Sequence, residues 1–441
     1  MCGIFSIVSS DPICEKKVID GLKDLQHRGR DSFGVSYLTD DKIEVVKETG
    51  LVKELSIKEQ SKCWVGHTRY STSSDDTIFT QPVFSEKNNF SICHNGNIPE
   101  KVWDGVEEKY KNLKFKEEIS DTFKLKYFID FLLEKYDFLC VLKKIVDEVV
   151  GVYSLVIQTK NNLFLVRDRY GVKPLEICKT ENTTIVSSEA FFGVSNGLLP
   201  TIEPGSVYSV NYKTQEVLPV YVLKTQKIAN CVFEYIYFLK DKSVVNGKHV
   251  KNFREQISKI LKKDSEHKFS KIDKSNVLVS GVPNSGNVYG KTFAEEMGFK
   301  YSQFLDKRKD YHHRTFILPT DEERIVACQK KYIVTENIKD KIIFLADDSI
   351  VRGNTIKYLI KYLKIFEPKE IHLIVGSPPV RKPCFYGVDF PDIEELVINR
   401  MSAEELRENL EIDTLTYFDV ERLSELGKNF CTACFTGEYF F

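Results

Sequence analysis

Residues 342–355 run Ile342-Ile343-Phe344-Leu345-Ala346-Asp347-Asp348-Ser349-Ile350-Val351-Arg352-Gly353-Asn354-Thr355, and few architectures accommodate such a segment. Five consecutive apolar residues suit a strand of a parallel sheet buried on both faces. Two carboxylates follow at its end. The next residues form a turn whose N–H groups and hydroxyls can point at a phosphate beside a helix N-terminus. In the helix predicted over Thr355–Lys364, Ile356, Leu359, Ile360 and Leu363 share one face, as a helix covering a sheet requires. Ligands of open α/β sheets sit at the carboxyl edge, so the segment implies both a fold class and a site.

The same grammar recurs nearby. Asn276–Ser280, a turn and Val288–Met297 make a second strand–turn–helix unit, and Ile371–Val375 supplies another strand. Before about residue 226 the pattern is different. Short alternating runs at Cys2–Val8, Phe33–Leu38, Lys42–Lys47, Cys63–Gly66, Phe90–His94, Val152–Gln158, Leu163–Arg167, Thr184–Ser187 and Ser206–Asn211 predict strands. Helices are expected at Lys16–Gln26 and Asp121–Lys135. The first half is therefore predicted to be α+β with much antiparallel sheet, and 441 residues suit two domains. The segment Lys300–Glu336 carries Lys307, Arg308, Lys309, Arg314, Lys330 and Lys331 with little periodicity. It is expected to be a long mobile loop over a site, the alternative being a solvated charged face.

A formal net charge of −1 points to neither nucleic acid nor an anionic membrane. With no run of about 18 apolar residues and no basic-then-apolar leader, small-molecule partners and a cytoplasmic location are expected. Eleven cysteines, an odd number in a long chain, argue for free thiols, catalysis or metal over a disulfide framework.

Cys2 is the first candidate nucleophile. If Met1 is removed, its thiol lies beside its own α-amine, whose ordinary pKa of about 7.7–8.0 suits a general base. The motifs Leu25-Gln26-His27-Arg28-Gly29-Arg30-Asp31, Gly66-His67-Thr68-Arg69-Tyr70, His94-Asn95-Gly96-Asn97 and Ser120-Asp121-Thr122 resemble those of the class II glutamine amidotransferases. That resemblance implies that Cys2 attacks the glutamine amide and that the Asn95 side chain and Gly96 N–H stabilise the oxyanion. It further implies that Arg69 and Asp121 grip the α-carboxylate and α-amine of glutamine, and that Arg28 and Tyr70 respond to the second domain. The stretch Thr72-Ser73-Ser74-Asp75 is less glycine-rich than the family pattern.

The Asp347 to Thr355 segment likewise resembles the type I phosphoribosyltransferase motif. The match implies that Asp347 and Asp348 face the ribose hydroxyls and magnesium of phosphoribosyl pyrophosphate. Ser349, Ile350, Val351, Arg352, Gly353, Asn354 and Thr355 would hold its 5′-phosphate. Gly281-Val282-Pro283-Asn284-Ser285-Gly286 resembles the pyrophosphate loop, with Ser285 a further magnesium-side residue. Together with Val232-Phe233-Glu234-Tyr235-Ile236-Tyr237-Phe238, read as a strand, and Arg167 to Leu175, these motifs make the whole chain similar to the glutamine phosphoribosylpyrophosphate amidotransferases. The resemblance implies an N-terminal-nucleophile αββα domain over 2–225 and a phosphoribosyltransferase domain over 226–441. It implies release of ammonia from glutamine, displacement of pyrophosphate to give 5-phosphoribosylamine for purine synthesis, a homotetramer, and inhibition by purine nucleotides. Arg308 and Tyr311 are carried over as ligand contacts, although Asp310 stands where the family has a base. Two other readings remain: a different class II amidotransferase, or a silent regulator that binds phosphoribosyl pyrophosphate.

Cys431-Thr432-Ala433-Cys434 is a Cys-x-x-Cys pair, ambiguous by itself between metal and redox chemistry. With Cys231 and Cys384 it matches the branch of the family that binds a 4Fe-4S cluster, which needs four thiolates. Tetrahedral zinc is the chemical alternative. Either would tie the C-terminal tail to the body of the second domain.

Overall fold

The computed structural model describes residues 2–40, 42–70, 77–116, 119–190, 201–224, 227–308, 321–390 and 392–441. Tyr311 and the segments 72–75 and 309–320 lie outside the described residues, as does the expected division between 225 and 226.

Two six-stranded antiparallel sheets build the first half. Gly3–Ile13 lies inside the first sheet, between Ser61–Arg69 and Thr183–Ser187. Phe90–Asn97 lies inside the second, between Val83–Ser85 and Val152–Gln158. Alternation sends one set of side chains inward: Ile4, Val8, Cys63 and Val65 meet Cys93, Val156, Leu163 and Leu165 between the sheets. The opposite faces are covered by helices. Val18, Ile19 and Leu22 of Lys16–Asp24 pack on Phe5 and Ile7, while Asp121–Leu132 and Phe138–Glu148 pack on the second sheet. The result is the αββα sandwich expected of an N-terminal-nucleophile domain.

The second half is α/β. Its parallel sheet orders Lys300–Tyr301, Val277–Gly281, Ile342–Asp347, Glu370–Val375 and Thr414–Tyr417. Val250–Ser265 and Gly286–Met297 cover one face and Asn354–Lys364 the other. The core on the first of these faces extends to Val152 and Val172, so the two halves share apolar packing.

Two expectations are corrected. Glu234–Phe238 is a π-helix and not a strand: the Leu239 N–H donates to Glu234 O at 2.9 Å, while Arg254 donates to the carbonyls of Tyr235, Tyr237 and Leu239. Lys300–Glu336 is not simply a loop. Leu305–Lys307 pairs antiparallel with Tyr332–Val334, and Asp321–Lys331 is helical.

Candidate active sites

The first site gathers at the start of Gly3–Ile13. Gly3 and Ile4 pair with Thr68 and His67, which sets Cys2 beside the end of Ser61–Arg69. Burial alone raises the Cys2 thiol, but the nearby His67, with the N-terminal amine and the Tyr70 backbone adding to it, outweighs that and brings it down to about 6. The thiolate is the nucleophilic form of cysteine, so a thiol lowered in this way is suited to attack. Neither His67 nor His94 was singled out as functional in the sequence, although both stand inside the quoted motifs. His67 Nε2 lies 3.3 Å from the His94 carbonyl. His94 stands 3.5 Å from Asp121 and is wholly buried, its pKa raised chiefly by Asp121 against burial. Asp121 accepts from the N–H groups of Thr122 at 2.7 Å and Ile98 at 3.2 Å, tying its carboxylate to the strand end after Asn97.

Asn95 is 2% exposed, and among the described residues its Nδ2 has no hydrogen-bond partner. A buried donor of this kind is unfavourable until an acceptor arrives, the condition expected of an oxyanion donor. Arg69 lies over the Phe79 ring at 5.6 Å. Arg28 is a strut: its Nε donates to the Cys2 carbonyl at 2.9 Å and its guanidinium forks onto Glu189 at 2.8 Å and Glu234 at 2.9 Å. All three charged side chains are buried, so Arg28 joins the nucleophile strand to the π-helix. On that helix the Tyr237 hydroxyl is pushed up by burial, with the charges of Asp348, Tyr70 and Asp347 adding to it.

A direct test concerns the thiol. Carboxamidomethylation of Cys2, followed by mass spectrometry of its peptide, should rise with a midpoint near pH 6. In His67→Gln the midpoint should move toward the ordinary value of about 8.5. An unchanged profile would remove His67 from this role.

The second site lies at the carboxyl edge of the parallel sheet. Asp347 and Asp348 are buried, with Asp348 accepting from the hydroxyl of Ser349 at 2.6 Å and from that of Ser285. Asp347 Oδ1 accepts from the Asp348 N–H at 2.9 Å. Ser285 reaches them because Gly286 passes close to the strand end: a Cβ there would stand 2.3 Å from the Ala346 carbonyl oxygen. Gly353 takes a left-handed φ of 81° and opens Asn354–Lys364, whose N-terminus faces this edge. Ile350 is buried, whereas Arg352 turns outward to Glu395 at 2.7 Å. Burial and the adjacent Asp348 push Asp347 well above the carboxylate range. Burial raises Asp348 as well, against the serine hydroxyls. Among the described residues no group of three or more His, Cys, Asp or Glu is arranged to hold a metal ion. The acidic pair nevertheless fits magnesium, which commonly takes one or two carboxylates and completes its shell with phosphates and water.

The four cysteines gather at the seam between the halves. Cys231 pairs with Cys431 across two short parallel strands, and its N–H donates to the Val172 carbonyl at 3.0 Å. Burial raises Cys434 strongly, with Cys231, Cys384 and Cys431 adding repulsion. Burial raises Cys231 to about 11.

A family model of the glutamine amidotransferase domain matches residues 1–256, and one of the phosphoribosyl transferase domain matches residues 249–383. The chain is 32% identical over 466 residues to the amidophosphoribosyltransferase of Methanocaldococcus jannaschii, covering 100% of this chain and 97% of that protein. It is 34% identical over 447 residues to that of Pyrococcus horikoshii, with coverage of 99% and 96%. Its fold matches the glutamine phosphoribosylpyrophosphate amidotransferase of B. subtilis, solved with ADP and GMP, at a TM-score of 0.86 and 29% identity over 100% of this chain and 97% of that one. A structure described as the allosteric regulatory enzyme of purine biosynthesis matches at a TM-score of 0.85 and 28% identity, with coverage of 100% and 96%.

Proposed function

The chain belongs to the amidophosphoribosyltransferase family, and from that membership we propose how its residues divide the work. It is a pentosyltransferase that moves the amide nitrogen of glutamine onto phosphoribosyl pyrophosphate in purine biosynthesis. In our reading residues 2–225 form the glutaminase unit and 226–441 the phosphoribosyltransferase unit. Cys2, freed of Met1, adds to the amide carbon. Asn95 and Gly96 donate to the developing oxyanion, and Arg69 and Asp121 orient the α-carboxylate and α-amine of glutamine. The buried, unpartnered Asn95 Nδ2, together with a Cys2 thiol held below its ordinary value, is the observation that carries this assignment.

Asp347, Asp348 and Ser285 would orient the ribose and magnesium of phosphoribosyl pyrophosphate, with Ser349 to Thr355 holding the 5′-phosphate and Arg308 and Tyr311 at the rim. When bound, magnesium offsets charge on the departing pyrophosphate. Arg28 and Tyr70 relay between the sites, since Arg28 grips both the Cys2 carbonyl and Glu234. Purine nucleotides as inhibitors, a homotetramer and a cytoplasmic location belong to the same proposal. Among the described residues no helix is long and apolar enough to cross a membrane.

Cys231, Cys384, Cys431 and Cys434 would hold one 4Fe-4S cluster, cross-linking three segments of the chain. The likeness of these four positions to the cluster-binding branch of the family is what favours the cluster over zinc, which four thiolates would equally satisfy. Anaerobically purified protein is expected to be brown, with about four irons and four sulfides per chain. It should form glutamate and pyrophosphate in equal amounts from glutamine and phosphoribosyl pyrophosphate. Cys434→Ser should lose the metal and melt at lower temperature, because binding to the folded state adds to its stability. Colourless protein with one zinc would replace the cluster, and metal-free protein of unchanged stability would eliminate both.

A further inference from the structure

The loop that carries Cys384 lies against the strand that carries Asn95 and Gly96. Asn97 Nδ2 donates to the Phe385 carbonyl at 2.9 Å. Gly387 adopts a left-handed φ of +89°, and a Cβ there would stand 2.7 Å from the Gly96 carbonyl oxygen and 2.8 Å from its carbon. A Cβ on Gly96 itself would lie 2.0 Å from the Val152 carbonyl oxygen. The Gly96 backbone is thus held between Val152 of its own sheet and Gly387 of the second half.

The loop in turn hangs on the C-terminal cysteine turn. The Cys434 carbonyl accepts from the N–H groups of Arg381 at 2.9 Å and Lys382 at 3.1 Å. The Tyr386 N–H donates to Cys384 Sγ at 3.3 Å, and the Tyr439 hydroxyl donates to the Pro383 carbonyl at 2.7 Å. Tyr386 stacks on Phe440 with ring centroids 5.2 Å apart. A continuous set of contacts therefore runs from the cysteine turn to the Gly96 peptide.

We infer that the Cys384–Gly387 loop positions the oxyanion donors of the glutaminase site, with Gly387 and Asn97 as positioning residues. The inference rests on the reading of Asn95 and Gly96 as those donors. Such donors work because they are aimed before charge develops, and a misplacement of about 1 Å can cost on the order of 100-fold in rate. Integrity of the cysteine cluster is then coupled to glutamine hydrolysis, while ammonia-dependent synthesis at the ribose depends on neither Gly387 nor Asn97.

The test compares two ligands on the holoenzyme. Glutamate γ-semialdehyde accepts the Cys2 sulfur at its carbonyl carbon; the C–S bond forms, the C=O π pair moves to oxygen, and the thiol proton passes to the base of the site. The resulting hemithioacetal oxygen lies where the amide oxyanion would. Glutamate, which forms no such bond, reports ordinary binding. The ratio of the two affinities, measured by calorimetry, is expected to fall about 10- to 100-fold in Gly387→Ala and about 3- to 10-fold in Asn97→Ala. The kcat for glutamine hydrolysis should fall at near-constant KM, with ammonia-dependent synthesis unchanged. Asn95→Ala serves as reference, with an expected drop of about 100- to 1,000-fold. A drop in Asn95→Ala with no change in the other two overturns the positioning role. No change in Asn95→Ala overturns the oxyanion reading beneath it. Should Gly387→Ala fail to fold, Asn97→Ala, which adds no atoms, decides the matter.

Discussion

Replacing Cys2 with alanine is expected to abolish synthesis of phosphoribosylamine from glutamine, by at least about 10⁴-fold, while synthesis from ammonia continues near the wild-type rate. Alanine removes the only atom able to form the acyl intermediate, and ammonia supplied at high concentration needs no such intermediate. The substitution is also structurally mild. Cys2 is held through its carbonyl by Arg28 and through neighbouring strand pairing, and alanine retains both. Parallel assays with glutamine and with ammonia, on protein whose thermal melt matches the parent, measure the separation. Equal loss of both activities in such folded protein would show that the two sites are not chemically separate.

The parts of the fold that were legible in the sequence are those in which local pattern and burial agree. Ile342–Asp347 differs from its expected extent by one residue because an apolar run ends in charges, and Asn354–Lys364 follows from four apolar residues on one face. Phe138–Glu148 was missed. Phe138, Val141, Ile145 and Val146 are aromatic or β-branched and weaken the helical reading, although Asp137, accepting from the Cys140 N–H at 2.9 Å, is a favoured N-cap. Glu234–Phe238 has strand composition, and what the sequence does not show is Arg254, a donor from another helix to two of its carbonyls and to that of Leu239 just beyond it.

The candidate sites divide in the same way. Residues within a single motif, such as Asp347 and Asp348, could be identified from order alone. The role of His67 depends on strand pairing that brings it beside Cys2, and the approach of Gly387 to Gly96 joins residues almost 300 positions apart. Arg28 is implied by resemblance to respond to the second domain, and its burial between Glu189 and Glu234 makes it part of the seam: removing one partner of a buried charge group strands the others, at about 3–5 kcal/mol.

Asp347→Asn is expected to lower both the glutamine-dependent and the ammonia-dependent reaction, by about 100-fold or more, because both end in the same displacement at the ribose carbon. It should also stabilise the ligand-free protein. The folded-state pKa of Asp347 is raised, by burial and then by Asp348, so the ionised carboxylate opposes folding. That opposition is absent below the unfolded pKa of about 3.9, where the group is protonated in both states, and grows until pH passes the folded value. Asparagine preserves the acceptor for the Asp348 N–H and removes the charge. The melting temperature without ligand should therefore rise, by about 2–4 °C for each kcal/mol gained in a domain of this size. The further increase that magnesium and phosphoribosyl pyrophosphate confer should shrink, since that increase measures their affinity for the folded state. A fall in ammonia-dependent turnover accompanied by a higher ligand-free melting temperature separates a functional charge from a structural one, because loss of a structural partner lowers both. Unchanged ammonia-dependent turnover would exclude Asp347 from the phosphoribosyl site.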